Sequence, residues 1–425
     1  MYKKTKLFLT IALVLLMSFA SIVPALANNG GPMVSNPNGP DIQATITKHL
    51  RLPIGTTTPD TTFNFIANRI SVDGREFNAS TPAMMPELSA TALTVDFSAL
   101  DTDNTTPTPD TLNIRKETGD LFENITFPHA GIFVYIIEEQ ADTNPNIDNN
   151  PNELLYYSDA RYRLEVHVAN HTDGGLYISG VGAKRLVAGS DDQGQKVDPS
   201  PGQTEFDFSE MSFTNDYIKT DIPPGVDPDP RNNATLYIRN DVTGGLGDRS
   251  MFFDFAMTLA IPELIRDDDT RTYYRAYIFN GDSLVTDITN NLADDTETGT
   301  DAIGPYIKVS IEEATSFRLR DGQRLVFSDT PVGTRYTVTE TAVPNYITSF
   351  VVTSAGNPAP SVTGFATDLE LVGEGLNRTV FTNNRESIPI TGLVLNNLPF
   401  IGLIVLALGS LSIFIVLKAR KRKHN

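Results

Sequence analysis

Apolar and polar residues alternate along most of this chain, and helical spacing is scarce. Alternating runs occur at 44–47, 63–66, 133–137 and 162–168, and clusters of Gly, Pro, Asn and Asp separate them. Alternation of this kind buries one face of a β-strand, and turn residues at such intervals join strands into antiparallel sheets. The pattern predicts an all-β fold built from tandem Ig-like β-sandwich domains.

The N-terminal end departs from this alternation. Lys3, Lys4 and Lys6 precede an apolar stretch at 7–23, and Ala25-Leu26-Ala27 supplies the small residues of a cleavage site. This order is typical of a secretory signal peptide. We therefore expect residues 1–27 to be removed on export and residues 28–40 to form an N-terminal linker outside the membrane.

The C-terminal end also carries an apolar run. Residues 398–417 contain no charged side chain, and a basic stretch follows at 418–423. About twenty apolar residues suffice for a helix to cross a bilayer, and basic residues favour the cytoplasmic side. Segment 386–425 is therefore predicted to contain a transmembrane helix, and the exported chain is expected to contact a membrane only through this segment and only for a time.

Prolines concentrate at 220–233, where they interrupt strands and favour an extended linker. This linker separates two predicted domains, 41–219 and 234–385, which share an order of features and therefore read as a degenerate tandem repeat. The shared features are Phe-x-Phe at 63–65 and 253–255, a strand from Gly to Glu at 131–139 and 333–340, and Phe-Thr-Asn at 213–215 and 381–383.

Charge and cysteine content restrict the function classes. The net charge of −19 becomes −27 when the three basic residues of the leader and the five of the C-terminal tail are removed, since neither segment contains an acid. Such an acidic chain without a basic stripe is not expected to bind nucleic acid. There is no Cys, so disulfides cannot stabilise this exported chain.

Three residues of the first repeat could form a covalent cross-link. Lys48 lies in the first strand and Asn215 in the last, while Glu139 shares the parity of Phe133 and Tyr135 and should face the core. Burial lowers the pKa of a lysine and raises that of a glutamate, which favours a neutral amine beside a carboxylic acid. If the Asn215 carboxamide is adjacent, the amine can attack it and expel ammonia. On spacing alone, an exposed lysine, a strand-end carboxylate and a turn asparagine remain the plainer interpretation.

The motifs around these residues resemble those of the streptococcal backbone pilins of the T-antigen type, which contain pilin isopeptide linkage domains. The matching segments are 62–65, 125–127, 131–135, 157–162 and 213–215 in the first repeat, and 242–250, 319–322, 331–333, 336–340 and 381–383 in the second. The resemblance covers nearly the whole mature chain. It implies that Lys48 and Asn215 form an internal isopeptide bond and that Glu139 catalyses its formation.

The second repeat departs from this pattern. Asn240 stands where the resemblance requires a lysine, although Glu340 and Asn383 are present. Arg239 cannot replace the lysine because a guanidinium stays protonated, and Lys308 lies in an internal strand. We expect no conventional isopeptide bond in this repeat.

A short motif precedes the apolar run. Ile388, Pro389, Ile390, Thr391 and Gly392 resemble the sorting signal of Gram-positive surface proteins, whose usual form is Leu-Pro-x-Thr-Gly. The resemblance implies that a sortase cuts between Thr391 and Gly392 and joins the Thr391 carbonyl to an amine. An ordinary single-span protein with a chance pentapeptide is the alternative.

Polymerisation in such pilins uses a lysine of one subunit as the acceptor for the next. Six lysines lie in the mature chain, at 48, 116, 184, 196, 219 and 308. Lys196 matches the acceptor position best and Lys184 is second, with Lys116 third. The register leading to Asn215 is longer than usual here, so the choice between Lys196 and Lys184 stays open.

These observations favour a structural pilin subunit over an enzyme. The expected partners are a sortase, further copies of the chain, minor pilins and peptidoglycan, and the expected location is a fimbrium anchored to a Gram-positive cell wall. No cofactor or metal is expected, because the five His are scattered and the acidic runs lack calcium-loop spacing. The alternative is a monomeric wall-anchored adhesin that binds a host or matrix ligand.

Overall fold

A computed structural model describes residues 31–78, 82–105, 108, 110–150, 152–204, 206–220, 229–265, 271–386 and 391–422. The predicted signal peptide lies outside these residues, as do Ile388, Pro389 and Ile390 of the sorting motif and most of the proline-rich linker. Within the described part, the chain is almost entirely β-structure, which confirms the predicted all-β class.

The first group of strands, here called the N-terminal sandwich, comprises two sheets. Its strands are β1 Thr47–Pro53, β2 Thr61–Val72, β3 Arg75–Glu76, β4 Thr94–Phe97, β5 Thr111–Glu117, β6 Gly131–Asn144, β7 Glu153–Tyr156, β8 Arg161–Asn170, β9 Leu176–Leu186, β10 Gly194–Val197 and β11 Ser212–Lys219. One sheet has the order β5-β1-β11-β7, and the other has the order β10-β9-β8-β6-β2-β3 with β4 beside β2.

The second group, the C-terminal sandwich, repeats this plan. Its strands are β12 Leu236–Thr243, β13 Phe253–Ala260, β14 Tyr273–Asn280, β15 Ser283–Leu284, β16 Thr298–Thr300, β17 Pro305–Ser310, β18 Thr315–Leu319, β19 Gln323–Phe327, β20 Arg335–Glu340, β21 Ile347–Ser354, β22 Asn357–Pro358, β23 Val362–Thr363, β24 Glu370–Leu371 and β25 Arg378–Asn384. The large sheet has the order β16-β17-β14-β19-β12-β25-β21-β22, with β15 on β14 and β23 on β21, and the small sheet has the order β18-β13-β20-β24.

Short 3-10 turns connect some of the strands. They span Pro82–Met84, Ala90–Ala92, Ile147–Asn149, Glu263–Ile265 and Thr289–Asn291.

Each sandwich has its own apolar core between its sheets. In β8 the alternate residues Tyr162, Leu164, Val166 and Val168 are buried, as the sequence pattern predicts. They join a cluster that includes Phe63, Phe133 and Phe213, while Phe255, Phe317 and Phe381 belong to the core of the C-terminal sandwich. Burial of large aromatic side chains on this scale is the main source of folding free energy.

The first and last strands of each sandwich pair in parallel, and they do so in the same register. Lys48 of β1 lies opposite Phe213 of β11, and Asn240 of β12 lies opposite Phe381 of β25. Parallel pairing cannot be made by a hairpin, so the connection between these two strands runs through the rest of the sandwich. This arrangement brings residues from both ends of each sandwich to one place in its core.

The C-terminal residues form one helix, α1, at Thr391–Arg422. Its apolar side chains are exposed from Phe400 to Phe414. Among the residues that the structure describes, no helix has both the length and the apolar character needed to span a membrane.

Candidate functional site

The candidate site lies in the core of the N-terminal sandwich. β1 and β11 are the two inner strands of the four-stranded sheet, and the side chains of Lys48 and Asn215 point from them into the core. Asn215 is two residues beyond Phe213, the partner of Lys48, so both side chains lie on the same face. Glu139 projects from β6 of the facing sheet, where it pairs with Phe65.

One carboxyl oxygen joins the three residues that the sequence singled out. Lys48 Nζ lies 2.7 Å from Glu139 Oε1, and Asn215 Nδ2 donates to the same oxygen at 2.8 Å. The side chains of Lys48 and Glu139 are both 0% exposed, and Asn215 is also fully buried. The structure therefore places an amine and a carboxamide on one acid in a site without access to solvent.

Aromatic rings and one backbone group complete the surroundings. Lys48 Nζ lies 4.5 Å from the centre of the Phe63 ring, and Phe213 packs against Phe65 and Tyr162. The Ser158 backbone N–H donates to Asn215 Oδ1 at 2.8 Å. This donor polarises the carboxamide carbonyl, and it would stabilise negative charge developing on that oxygen during nucleophilic attack.

Burial sets the protonation of the pair. Loss of hydration lowers the pKa of Lys48 to about 8, although the Glu139 charge opposes the change. Burial also raises the pKa of Glu139, against the opposing effects of Lys48 and Asn215. The second oxygen of Glu139 has no hydrogen-bond partner among the described residues. Both pKa shifts favour transfer of the proton from the Lys48 amine to the Glu139 carboxylate, which yields a neutral nucleophile and a neutral acid.

The chemistry open to this arrangement is amide exchange. The Lys48 amine can add to the Asn215 carbonyl carbon, and Glu139 is positioned to accept a proton from the amine and to donate one to the departing nitrogen. The product would be a Lys–Asn isopeptide bond and one ammonia.

The C-terminal sandwich contains positions that match Lys48, Glu139 and Asn215, but an asparagine replaces the lysine. Asn240 on β12, Glu340 on β20 and Asn383 on β25 are all buried, and Asn383 Nδ2 donates to Asn240 Oδ1 at 3.0 Å. Arg239 points elsewhere and pairs with Asp241 at 2.8 Å, while Lys308 lies 3.3 Å from Glu297. Neither cation replaces the missing lysine.

The two acceptor candidates lie side by side. Lys196 on the edge strand β10 is directly opposite Lys184 on β9. Lys196 is exposed, whereas Lys184 is half-buried and lies 3.5 Å from Asp192. Backbone pairing with β9 places Lys196 in a strand. The sequence did not reveal this neighbourhood, because the register of the β9–β10 pair depends on the geometry of the turn between them.

The other lysines of the mature chain are engaged. Lys116 contacts Asp101 at 2.6 Å, and Lys219 contacts Glu374 at 2.7 Å. Within the described ranges, no group of three or more His, Asp or Glu side chains could hold a metal ion.

Comparison with known proteins places these features in context. The model of the Spy0128-like isopeptide containing domain matches residues 44–218, and a domain of unknown function, DUF7601, matches residues 234–385. A pilin of Streptococcus pyogenes serotype M1 is 24% identical over 301 residues, which is 69% of this chain and 69% of that protein.

Two solved structures are also similar. The major pilin from Streptococcus pyogenes is 20% identical, with 82% of this chain and all of that chain covered and a TM-score of 0.31. The major pilin T3.2 from Streptococcus pyogenes is 17% identical, with 81% and 99% covered and a TM-score of 0.29. Because both TM-scores are low, nothing further is inferred from these two structures.

Proposed function

Because the chain belongs to the streptococcal T-antigen type of pilin, with an isopeptide containing domain at 44–218, we propose that it is a backbone subunit of a covalent pilus. A sortase joins the subunits and anchors the fibre to peptidoglycan, and minor pilins are further partners. The chain is a structural protein and performs no turnover chemistry apart from its own cross-linking.

The observation that carries this function is the buried set of Lys48, Glu139 and Asn215. In the proposed reaction, the amine nitrogen bonds to the Asn215 carbonyl carbon and the carbon–nitrogen bond of the carboxamide breaks. Glu139 relays protons from the amine to the departing nitrogen, which leaves as ammonia. A covalent link between the first and last strands suits a subunit that carries tension, since pulling cannot then separate those strands.

The two ends serve export and assembly in this proposal. Residues 1–27 direct secretion, and 388–392 form the sorting signal that is cut after Thr391. The apolar residues within α1 and the basic tail hold the chain at the membrane until cleavage. The two predicted domains, 41–219 and 234–385, make up the mature subunit with the linkers at 28–40 and 220–233.

Lys196 is the proposed acceptor and Lys184 the second choice. Lys196 lies on the edge strand β10 of the larger sheet, where an enzyme can approach its exposed amine, and Lys184 is its direct partner on the next strand, β9. Head-to-tail joining of a lysine to Thr391 is a heterologous contact and therefore gives an open fibre.

The test is assembly in cells that express the chain with its sortase. Wall extracts boiled in detergent should contain ladders of high-mass forms. The Lys196→Ala, Lys184→Ala double variant should leave only wall-linked monomer, whereas Lys308→Ala, which removes a lysine of the C-terminal sandwich, should keep the ladders. Ladders in the double variant would refute the acceptor assignment. Wild-type monomer alone would favour the adhesin alternative.

A further inference from the structure

The C-terminal sandwich contains a buried acid that the proposed function does not use. Glu340 on β20 is 1% exposed, and neither of its carboxyl oxygens completes a well-formed hydrogen bond with a residue that the structure describes. Burial raises its pKa to about 7, and Asn383 and Thr348, which lie beside the carboxyl, oppose this rise. An isolated buried acid is costly for folding, so its presence calls for a role.

A hydroxyl and a carboxamide meet next to this acid. Thr348 on β21 is the direct cross-strand partner of Asn383 on β25. The Thr348 hydroxyl donates to Asn383 Oδ1 at 2.6 Å, and both residues are buried. On the other side, Asn383 Nδ2 donates to Asn240 Oδ1. The carboxamide is therefore held in a fixed orientation, with a nucleophilic oxygen at its carbonyl and an acid close by.

This set parallels the site in the N-terminal sandwich, except for the nucleophile. The acid and the carboxamide occupy matching strands, but Asn240 replaces the lysine and cannot attack, because an amide nitrogen is not nucleophilic. Thr348 is the one hydroxyl that contacts the Asn383 side chain among the described residues.

We propose that Thr348 and Asn383 form an intramolecular ester bond, with Glu340 as the proton relay. The Thr348 oxygen bonds to the Asn383 carbonyl carbon, and the bond from that carbon to the amide nitrogen breaks. The carbonyl oxygen of neutral Glu340 takes the hydroxyl proton, and its O–H protonates the nitrogen, which leaves as ammonia. No oxidant, cofactor or metal is needed, and Glu340 returns to its starting state.

The bond would join the last two long strands of the sandwich. β25 leads towards the sorting motif, so force applied through Thr391 enters the C-terminal sandwich along this strand. An ester bond would attach β25 covalently to the neighbouring strand β21, in addition to the hydrogen bonds of β25 with β12 and β21. The cross-link does not depend on the proposed acceptor lysines or on the Lys48–Asn215 bond.

Peptide mapping of the whole chain tests the proposal. Trypsin should release residues 336–378 joined to residues 379–385, with the joined mass lower by one ammonia than the two peptides together. Alkaline hydroxylamine should separate this pair, because it cleaves esters and spares amides. The pair that contains Lys48 and Asn215 is read separately in the same digest, so failure of one bond is distinguishable from failure of the other.

Variants identify the chemistry. Thr348→Val and Glu340→Gln should release 336–378 and 379–385 as free peptides, while Thr348→Ser, which keeps a hydroxyl, should retain the joined pair. Free peptides in the wild-type chain would overturn the proposal, and this result does not depend on whether any variant folds. A joined pair that resists hydroxylamine, or that persists in Thr348→Val, would overturn it equally.

Discussion

Glu139 and Glu340 occupy matching positions in the two sandwiches but have different neighbours. Glu139 contacts a lysine and an asparagine, whereas Glu340 lies beside two neutral polar side chains and, among the residues that the structure describes, no cation. The neighbouring side chains determine how burial affects the protonation of each acid. A lysine can share its proton with the acid, but an acid without a cation must stay protonated or tolerate a buried charge.

The titration of Glu340 predicts a pH dependence of stability. Its pKa rises from 4.5 to about 7 on folding. Below pH 4.5 the acid is neutral in both states, and between 4.5 and 7 the folded chain binds more protons than the unfolded one. The free energy of unfolding should therefore fall as pH rises through this window, by up to about 3 kcal/mol.

Urea unfolding at pH 5 and pH 8 checks this prediction. Glu340→Gln, which cannot ionise, should remove the loss of stability of the C-terminal sandwich between these pH values. Glu297→Gln provides a matched control, because that side chain is 77% exposed. An unchanged pH profile in Glu340→Gln would contradict the assignment.

At single residues, the sequence supported part of the site. The parity of Glu139 with Phe133 and Tyr135 correctly placed its side chain in the core. The sharing of one oxygen by Lys48 and Asn215 could not be predicted, because it depends on how far apart the two sheets pack. The Ser158 N–H was missed for a similar reason, since backbone donors carry no residue-type signal.

At the scale of strands, the register of first and last strand is the common property of the two sandwiches. Lys48 with Phe213 and Asn240 with Phe381 are equivalent pairs, and an asparagine follows two residues after each phenylalanine. The lysine position is thus preserved in the backbone of the C-terminal sandwich, and only the side chain differs.

This equivalence predicts that Asn240→Lys forms a second isopeptide bond to Asn383, in place of the proposed ester between Thr348 and Asn383. The new amine would be buried between Glu340 and Asn383, where burial lowers its pKa and favours attack. A tryptic digest should contain a linked pair that joins position 240 to the peptide 379–385. Adding Glu340→Ala should abolish this pair. If trypsin instead cuts after position 240 and releases 379–385 as a free peptide, the two sites differ in more than one side chain.

The sequence predicted which segments form strands better than it predicted the order of those strands in each sheet. Alternation predicted β2, β6 and β8. Alternate residues are buried in β8 and in the first half of β2, whereas β6 buries the five consecutive residues 133–137. The order β5-β1-β11-β7 was not predictable from the pattern, because many pairings bury the same faces. Helix α1 begins at Thr391, earlier than the apolar run at 398, and it continues through Pro399.

At the scale of the whole molecule, side-chain contacts connect the two sandwiches. Glu374 lies 2.7 Å from Lys219 and accepts a hydrogen bond from the Thr57 N–H, while Arg335 lies 2.6 Å from Asp110. The Val332 N–H also donates to the Lys219 carbonyl. These contacts lie near the C-terminal end of β11, the strand that contains Asn215. The strand of the proposed cross-link therefore continues directly into the junction between the two sandwiches.

The proposed bonds then define a path for tension along a fibre. Force would pass between subunits through a lysine and Thr391, and within the N-terminal sandwich through Lys48 and Asn215. Closing so long a loop covalently restricts the unfolded chain and should stabilise this sandwich by on the order of 4 kcal/mol. In this proposal, covalent closure would take the place of the disulfides that a chain without Cys cannot form.

The most direct test of this account is the mass of the tryptic peptides that contain Lys48 and Asn215. In the wild-type chain, a peptide ending at Arg51 should be joined to residues 197–219, with the loss of one ammonia. Glu139→Ala should release residues 197–219 with their full mass, should allow trypsin to cut after the free Lys48, and should lower the melting temperature of the N-terminal sandwich. Separate, unmodified peptides from folded wild-type protein would contradict the central claim.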